Sequence, residues 1–268
     1  MKILGILNIT EDSFSDGGKF LAPEGALAQA ESLLKEGADI LDIGAASSHP
    51  EAKPVVPETE IARLASVLPA LKAKGASLSI DTFALPVQHW ALAQGVDYLN
   101  DIHGFPDASL YPELAASKAK LIVMHMVQPE GVAARTDVPS AEIFDRVVRF
   151  FGLRLDALIK AGIAGDRLIL DPGMGQFVGS DPENSLILLR RLPELRARFG
   201  LPLLVSVSRK GFLRRLVNRL PAESGAASLA AELFAEANGA DFIRTHAPAP
   251  LRDGLKVLKA IGKDRGTT

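Results

Sequence analysis

The 268-residue sequence contains no cysteine, and this absence excludes several classes of protein at once. Disulfide scaffolds, thiolate zinc sites, iron–sulfur clusters and cysteine nucleophiles all depend on that residue. Long apolar runs are missing as well: no stretch approaches the ~20 residues of a membrane-spanning helix, and the N-terminal apolar run is too short for a signal peptide. We therefore expect a soluble cytoplasmic protein with no membrane partner.

Neither sign of charge is in excess. The 30 lysines and arginines are balanced by 32 aspartates and glutamates, so no electrostatic footprint for nucleic acid is visible and we expect no such partner. The motifs HExxH, CxxC, GxSxG and Walker A are also missing, which argues against a zinc protease, a serine hydrolase and a P-loop enzyme.

What the sequence does contain is a regular alternation of short apolar runs and longer amphipathic segments. The apolar runs are continuous, as is typical of parallel strands buried on both faces, and lie at 3–8, 40–44, 77–81, 98–100, 120–125, 168–171, 203–206 and 242–245. Several of the amphipathic segments begin near proline and most end at glycine, which indicates helices at 23–37, 57–75, 85–95, 109–117, 140–162, 182–200, 224–239 and 250–262.

Eight strands alternating with eight helices predict an α/β fold, a single (β/α)8 TIM barrel that forms one domain over residues 1–268. An open doubly wound sheet is the alternative. That fold commonly carries a GxGxxG turn after its first strand, and this sequence has none there.

Polar side chains follow the predicted strands at their carboxyl ends, where the active site of a TIM barrel lies. The strands end at or beside Asn8, Asp42, Asp81, Asn100, His125, Asp171, Ser206 and Arg244. Any one of these residues alone is more often a turn former or a helix cap. Their convergence on one rim, opposite strand starts that carry only single charges, predicts a functional site.

The residue types on the rim indicate the ligand. Arg209, Lys210, Arg244 and His246 supply cationic or strong donor groups suited to phosphate or carboxylate. Asn8, near a carboxylate, offers an oxygen ligand to a hard cation such as Mg²⁺ that accompanies a diphosphate.

Three further polar residues, Asp81, Asn100 and Asp171, are expected deep in the barrel mouth. Buried polar groups need partners, and a planar heterocycle with several N–H and C=O edges supplies them.

At these residues the sequence resembles the dihydropteroate synthase family over essentially its full length. The stretch at 5–18, GILNITEDSFSDGG, is similar to the N-terminal signature of that family. Seven more blocks follow in the family's order: LDIG at 41–44, IDT at 80–82, ND at 100–101, MHM at 124–126, DPGMG at 171–175, SRK at 208–210 and RTH at 244–246. Eight blocks in order are far more specific than any one of them.

The resemblance implies a transferase of folate biosynthesis that condenses 6-hydroxymethyl-7,8-dihydropterin diphosphate with p-aminobenzoate, giving 7,8-dihydropteroate and pyrophosphate. The catalytic residues that it implies are Asp81, Asp171, Lys210, Arg244 and His246. The substrate-binding residues that it implies are Asn8, Ser48, His49, Asp81, Asn100, Met124, Asp171, Phe177, Lys210, Gly211, Arg244 and His246.

Within that set, the resemblance implies a pterin pocket walled by Met124, and a diphosphate site that includes the cofactor Mg²⁺ at Asn8. Loops at 10–18 and 45–53 would close over p-aminobenzoate and exclude water. The family further suggests a homodimer through the late helices, with apolar faces at 226–237 and 255–261, although these faces suit packing against the barrel equally well.

The sequence departs from the common family pattern on the p-aminobenzoate side. SSHPE at 47–51 replaces Ser-Thr-Arg-Pro-Gly, so that His49 stands for an arginine, and MGQFV at 174–178 replaces Phe-Gly-Phe-Gly-Lys. Gly211 stands where a serine usually follows Arg-Lys. In these places, and in NDIHGFP at 100–106, the chain looks more like the sulfonamide-insensitive form, so we expect reduced sulfonamide sensitivity.

Three other functions stay open. A methyltetrahydrofolate-type methyltransferase domain would use Asp81, Asn100 and Asp171 in the same way, but the N-terminal signature and the SRK block favour the synthase. A non-catalytic pterin-binding paralogue would have lost the diphosphate residues, which are present. An unrelated phosphate-binding barrel, such as an aldolase, would use Lys210 but needs a glycine-rich phosphate site that is absent.

Overall fold

The computed structural model describes residues 1–10, 23–46, 54–129, 131–132 and 135–262. Eight parallel strands lie within these ranges: β1 Lys2–Asn8, β2 Ile40–Gly44, β3 Leu78–Asp81, β4 Tyr98–Asp101, β5 Lys120–Met124, β6 Leu168–Asp171, β7 Leu204–Val205 and β8 Phe242–Thr245. Each bound falls within one residue of the predicted one.

The strands form a barrel. Neighbours pair in the order β6-β5-β4-β3-β2-β1-β8-β7, and the two edges meet where Leu170 pairs with Leu203. There the Leu170 N–H donates to the Pro202 carbonyl at 2.9 Å. The predicted (β/α)8 TIM barrel is confirmed, and the doubly wound sheet is excluded.

Ten α-helices surround the barrel in the described residues: α1 Pro23–Lys35, α2 Pro57–Ala73, α3 Leu85–Ala93, α4 Tyr111–Ala116, α5 Ile143–Lys160, α6 Pro182–Arg190, α7 Leu192–Phe199, α8 Gly211–Val217, α9 Gly225–Ala237 and α10 Pro248–Gly262. The prediction of one helix over 182–200 was wrong, because the chain breaks at Arg191 and restarts with Pro193 in the first turn of α7. Helix α8 was not predicted.

The alternation of side chains along the strands explains how the rim is built. One layer of the barrel interior consists of Leu4, Ile40, Tyr98, Ile122, Ile169, Leu204 and Phe242. Since side chains of a strand point to the same face every second residue, the next interior layer lies two residues further on. That layer includes Ile6, Asp42, Asn100, Met124, Asp171 and Arg244. The apolar core therefore gives way to polar groups at the carboxyl ends of the strands.

The late helices leave apolar side chains at the surface. Ala235 packs inward, whereas Phe234, Val257, Leu258 and Ile261 are exposed. No helix in the described part of the chain has the length and apolar character needed to cross a membrane.

Glu232 of α9 is a buried carboxyl group whose ionisation should destabilise the fold. Burial raises its pKa from the ordinary 4.5 to about 7, against a weaker opposing effect of a hydrogen bond with Thr245. The folded chain keeps this proton while the unfolded chain loses it, so the free energy of unfolding falls as pH rises from 4.5 towards 7. The loss amounts to about 3 kcal/mol at pH 8.

We therefore expect Glu232→Gln to raise the Tm by several degrees at pH 8, with the gain shrinking to nothing near pH 4.5. Thermal unfolding followed by circular dichroism across this pH range measures it. The same substitution at Glu236, on the same helix but less buried, serves as the control. A gain that does not depend on pH would contradict the assignment.

Candidate active site

An ion-pair network lies at the centre of the barrel mouth. Arg244 of β8 reaches across β1, where its Nε donates to Asp42 Oδ2 and a terminal nitrogen donates to Asp81 Oδ2 at 2.6 Å. Asp42 is completely buried, and 17% of the Arg244 side chain is exposed. Asp81 and Arg244 were predicted site residues and are brought together. Asp42 was noted as a strand end but left out of the predicted site.

The network places one guanidinium against two carboxylates in a water-poor setting. Burial alone would lower the pKa of Arg244, but Asp42 and Asp81 outweigh it and the pKa is raised. Burial raises the pKa of Asp81 to about 7, although Arg244 opposes the shift. Arg244 therefore stays charged throughout the physiological pH range. Its positive charge stabilises the buried carboxylates of Asp42 and Asp81.

Two buried oxygen atoms beside this network lack a hydrogen-bond donor. Asn100 Nδ2 lies 3.5 Å from Asp42 Oδ2, while Asn100 Oδ1 and Asp42 Oδ1 have no partner in the described residues. An unpaired acceptor in the interior is costly, typically about 1–3 kcal/mol. The two atoms therefore mark a place for a ligand that presents N–H groups.

Asp171 and Lys210 form the second charged pair of the mouth. Pro172 ends β6, and Gly173, with a φ of 75°, turns the chain so that its N–H donates to Asp171 Oδ1 at 2.8 Å. Burial raises the pKa of Asp171 to about 6, opposed by this hydrogen bond and by Lys210. Burial lowers the pKa of Lys210 to about 8, opposed by Asp171.

Apolar and aromatic groups enclose this pair. Met124 packs with Ile102, Met126 and Phe177 in a small cluster, which places an apolar wall where it was expected. The Lys210 ammonium lies 4.3 Å from the centre of the Phe177 ring, within the range of a cation–π interaction. A flat ligand bordered by such a wall would be shielded from water.

His246 directly follows β8 and lines the same cavity as Arg244. Its backbone N–H donates to Ser208 Oγ at 3.2 Å, and its Nδ1 lies 3.1 Å from the same oxygen. Burial lowers its pKa to about 3, with further lowering by Arg209 and Arg244. The imidazole is thus neutral at pH 7 and contributes a hydrogen-bond donor rather than a charge. Ser208 was not among the predicted site residues, although it belongs to the SRK block.

One cavity of about 820 Å³ joins these groups. The predicted site residues that line it are Asn8, Asp81, Phe177, Lys210, Gly211, Arg244 and His246. Asn100, Met124 and Asp171 belong to the same interior layer as Arg244, although they are not among the residues that line the cavity. Ser48, His49 and most of the predicted loops at 10–18 and 45–53 lie outside the described residues.

The oxygen ligands that the described residues offer fit Mg²⁺ only if the substrate supplies most of the coordination. No group of three or more His, Asp or Glu able to hold a metal ion exists in the described ranges. Asn8 is exposed at the cavity wall, and its Oδ1 lies 3.5 Å from the place that a Cβ would take at Gly44. A single amide oxygen suits Mg²⁺, which commonly keeps several waters and takes phosphate oxygens from its substrate.

Gly173 holds the turn that orients Asp171, and Gly173→Ala should disrupt it. A Cβ at this position would collide with the His125 carbonyl oxygen, at a φ that disfavours other residues. We expect a loss of about 2–4 kcal/mol in the free energy of unfolding, measured by urea denaturation. Gly95→Ala is the matched control, since its φ is 66° with no atom within 4 Å, and an equal loss there would contradict the collision.

Comparison with known proteins places this geometry in context. A family profile described as pterin binding enzyme matches residues 4–246. The chain is 60% identical over 259 residues to the dihydropteroate synthase type-2 of Escherichia coli, covering 97% of this chain and 95% of the relative.

Solved structures of dihydropteroate synthases are also similar to this chain. Dihydropteroate synthase of Xanthomonas albilineans with 4-aminobenzoic acid aligns with a TM-score of 0.87 and 36% identity, over 98% of this chain and 93% of that one. The same enzyme in complex with 7,8-dihydropteroate aligns with a TM-score of 0.84 and 36% identity, over 98% and 94%.

Proposed function

Since the chain belongs to the pterin-binding enzyme family and is a transferase of the dihydropteroate synthase type, we propose that its substrates are 6-hydroxymethyl-7,8-dihydropterin diphosphate and p-aminobenzoate. One observation carries the proposal. The unpartnered buried oxygens of Asp42 and Asn100 lie beside the Asp42–Arg244 ion pair, and Arg244 lines one cavity together with Lys210. Such a site offers acceptors for a heterocycle below and donors for a diphosphate above.

In the proposed reaction, the exocyclic carbon–oxygen bond of the pterin breaks and its electron pair leaves with the diphosphate. The amine nitrogen of p-aminobenzoate forms the new bond to that carbon and releases a proton. The carboxylate of Asp171 would stabilise cationic charge on the pterin as the leaving group departs. The apolar wall at Met124 and Phe177 would keep water, the competing nucleophile, away from that carbon.

The departing diphosphate would be received by Arg244 and by the neutral imidazole of His246. The closeness of an anion would raise the pKa of His246 and strengthen this hydrogen bond. Asn8 would hold the Mg²⁺ that accompanies the diphosphate. This ion would neutralise negative charge on the leaving group.

The experiment is pyrophosphate release from the pterin diphosphate with Mg²⁺, with and without p-aminobenzoate. Release that depends on p-aminobenzoate and yields dihydropteroate is expected. Pterin binding without release would favour a non-catalytic paralogue. Methyl transfer from methyltetrahydrofolate in place of release would favour the methyltransferase function.

The predicted reduction in sulfonamide sensitivity remains part of the proposal. It is supported by the position of Phe177, which occupies the altered 174–178 segment and contacts Lys210 in the same cavity. A sulfonamide is bulkier than p-aminobenzoate at the end that carries the sulfonyl group, so a tighter wall there would discriminate against it. Inhibition by sulfamethoxazole at the concentration that inhibits a sensitive synthase would contradict this proposal.

We also propose that the chain forms a homodimer through the exposed apolar face of α9 and α10, which is Phe234, Val257, Leu258 and Ile261. Val257→Glu is expected to give a monomer in sedimentation velocity. Leu153→Glu, at an exposed leucine of α5, is the control and should leave the dimer intact. A wild-type chain that sediments as a monomer would contradict the proposal.

A further inference from the structure

Arg214 of α8 occupies an unusual position in the cavity wall. Its side chain folds back along the helix, so that a terminal nitrogen lies 3.5 Å from the place that a Cβ would take at Gly211. The guanidinium thus lies within van der Waals range of this position. Both residues line the cavity together with Lys210 and Phe177.

The Arg214 guanidinium has no acceptor within the described ranges. Its Nε is buried and forms no hydrogen bond, and no ion pair involves this side chain. Two other arginines that line the cavity are satisfied: Arg244 pairs with two aspartates, and Arg215, the next residue of α8, donates to the Ser180 carbonyl at 3.0 Å. A half-buried guanidinium without an acceptor is unfavourable, so this position favours an anionic ligand.

We propose that Arg214 binds the carboxylate of the arylamine substrate and determines the preference of the site for an acidic arylamine. This inference rests on the proposed function. The amine must face the pterin carbon near Asp171, and the carboxylate lies at the opposite, para end of the ring. Phe177, Gly211 and Arg214 line the same cavity, so a ring beside Phe177 would place that end at the wall formed by Gly211 and Arg214. A guanidinium receives a carboxylate through two parallel N–H donors, which gives directional selectivity.

The neighbouring basic groups have other contacts. Lys210 donates to the Met174 carbonyl at 3.2 Å, and the nearby carboxylate of Asp171 favours its charged form. Arg209 is exposed and lies on the side of His246, whose pKa it lowers. Arg135 and Arg219 also line the cavity but are exposed. Among the cations that line the cavity in the described residues, Arg214 therefore combines partial burial with a free donor.

The test compares pteroate, which carries the benzoate carboxylate, with its carboxamide by isothermal titration calorimetry on the full chain. Arg214→Gln is expected to weaken pteroate binding about 10- to 100-fold, in the range of a charged hydrogen-bonded pair, while binding of the carboxamide changes less than about two-fold. Arg214→Lys should recover part of the loss. Arg215→Gln removes the same charge from the same helix. This side chain also borders the cavity, but its guanidinium is bonded to the Ser180 carbonyl, so both affinities should stay within about two-fold.

Steady-state kinetics give a second readout. Arg214→Gln should raise KM for p-aminobenzoate and leave both kcat and KM for the pterin diphosphate unchanged. Equal losses for pteroate and carboxamide, equal effects of the two arginine substitutions, or no loss at all would each overturn the proposal. A wild-type chain that binds neither compound would instead overturn the proposed function, and the two failures are thereby distinguished.

Discussion

Replacing Arg244 with methionine is expected to lower the free energy of unfolding by about 3–5 kcal/mol and to abolish turnover. The substitution leaves Asp42 and Asp81 in the barrel mouth without their counter-ion, and Asp42 is wholly buried. A loss of this size corresponds to a fall in Tm on the order of 10 °C for a chain of this length. Differential scanning calorimetry and the pyrophosphate assay measure the two effects.

A second variant separates charge burial from catalysis. Asp42→Asn combined with Arg244→Met removes one uncompensated carboxylate, so it should recover much of the stability while turnover stays absent. Arg190→Met breaks a surface ion pair with Glu183 and should change stability by less than about 1 kcal/mol. An Arg244→Met protein as stable as the wild type would show that the two aspartates accept protons freely, and the network would lose its structural role.

The fold was predictable because parallel strands buried on both faces appear in the sequence as continuous apolar runs, and eight such runs alternate with amphipathic segments. The split between α6 and α7 was missed although Pro193 signals it, because a proline inside a helical pattern ends the helix before it. The apolar spacing of Leu188, Leu192 and Leu195 continues across the break and favoured one helix. Helix α8 was missed because seven residues give too few turns for a periodic signal.

The site was predictable as a set of strand ends but not as a network. Residue pairing across strands depends on register, and neither the Asp42–Arg244 pair nor the neutral state of His246 can be read from separate segments. Asp42 was nevertheless accessible in principle, because it lies two residues after the interior residue Ile40. Successive side chains of a strand point to opposite faces, so Asn100 faces the barrel interior and Asp101 faces outward. The Asp101 carboxylate accepts hydrogen bonds from Gln88 and two backbone N–H groups.

The pH profile of kcat/KM for the pterin diphosphate is expected to be bell-shaped, because this parameter reports the ionisations of the free enzyme. In the proposed reaction Asp171 acts as a carboxylate that stabilises the cationic pterin, and its raised pKa of about 6 leads us to expect that activity falls as pH drops below 6. Lys210 must be charged, and its lowered pKa of about 8 means that activity falls as pH rises above 8.

Asp171→Asn should lower kcat/KM about 100- to 1,000-fold and remove the acidic limb, because the amide neither titrates nor carries the stabilising charge. The alkaline limb should remain and move to lower pH, since Asp171 no longer supports the charged form of Lys210. His246 cannot produce the acidic limb, because its pKa of about 3 lies below the range. An acidic limb that persists unchanged in Asp171→Asn would transfer this role to Asp81, whose pKa burial raises to about 7.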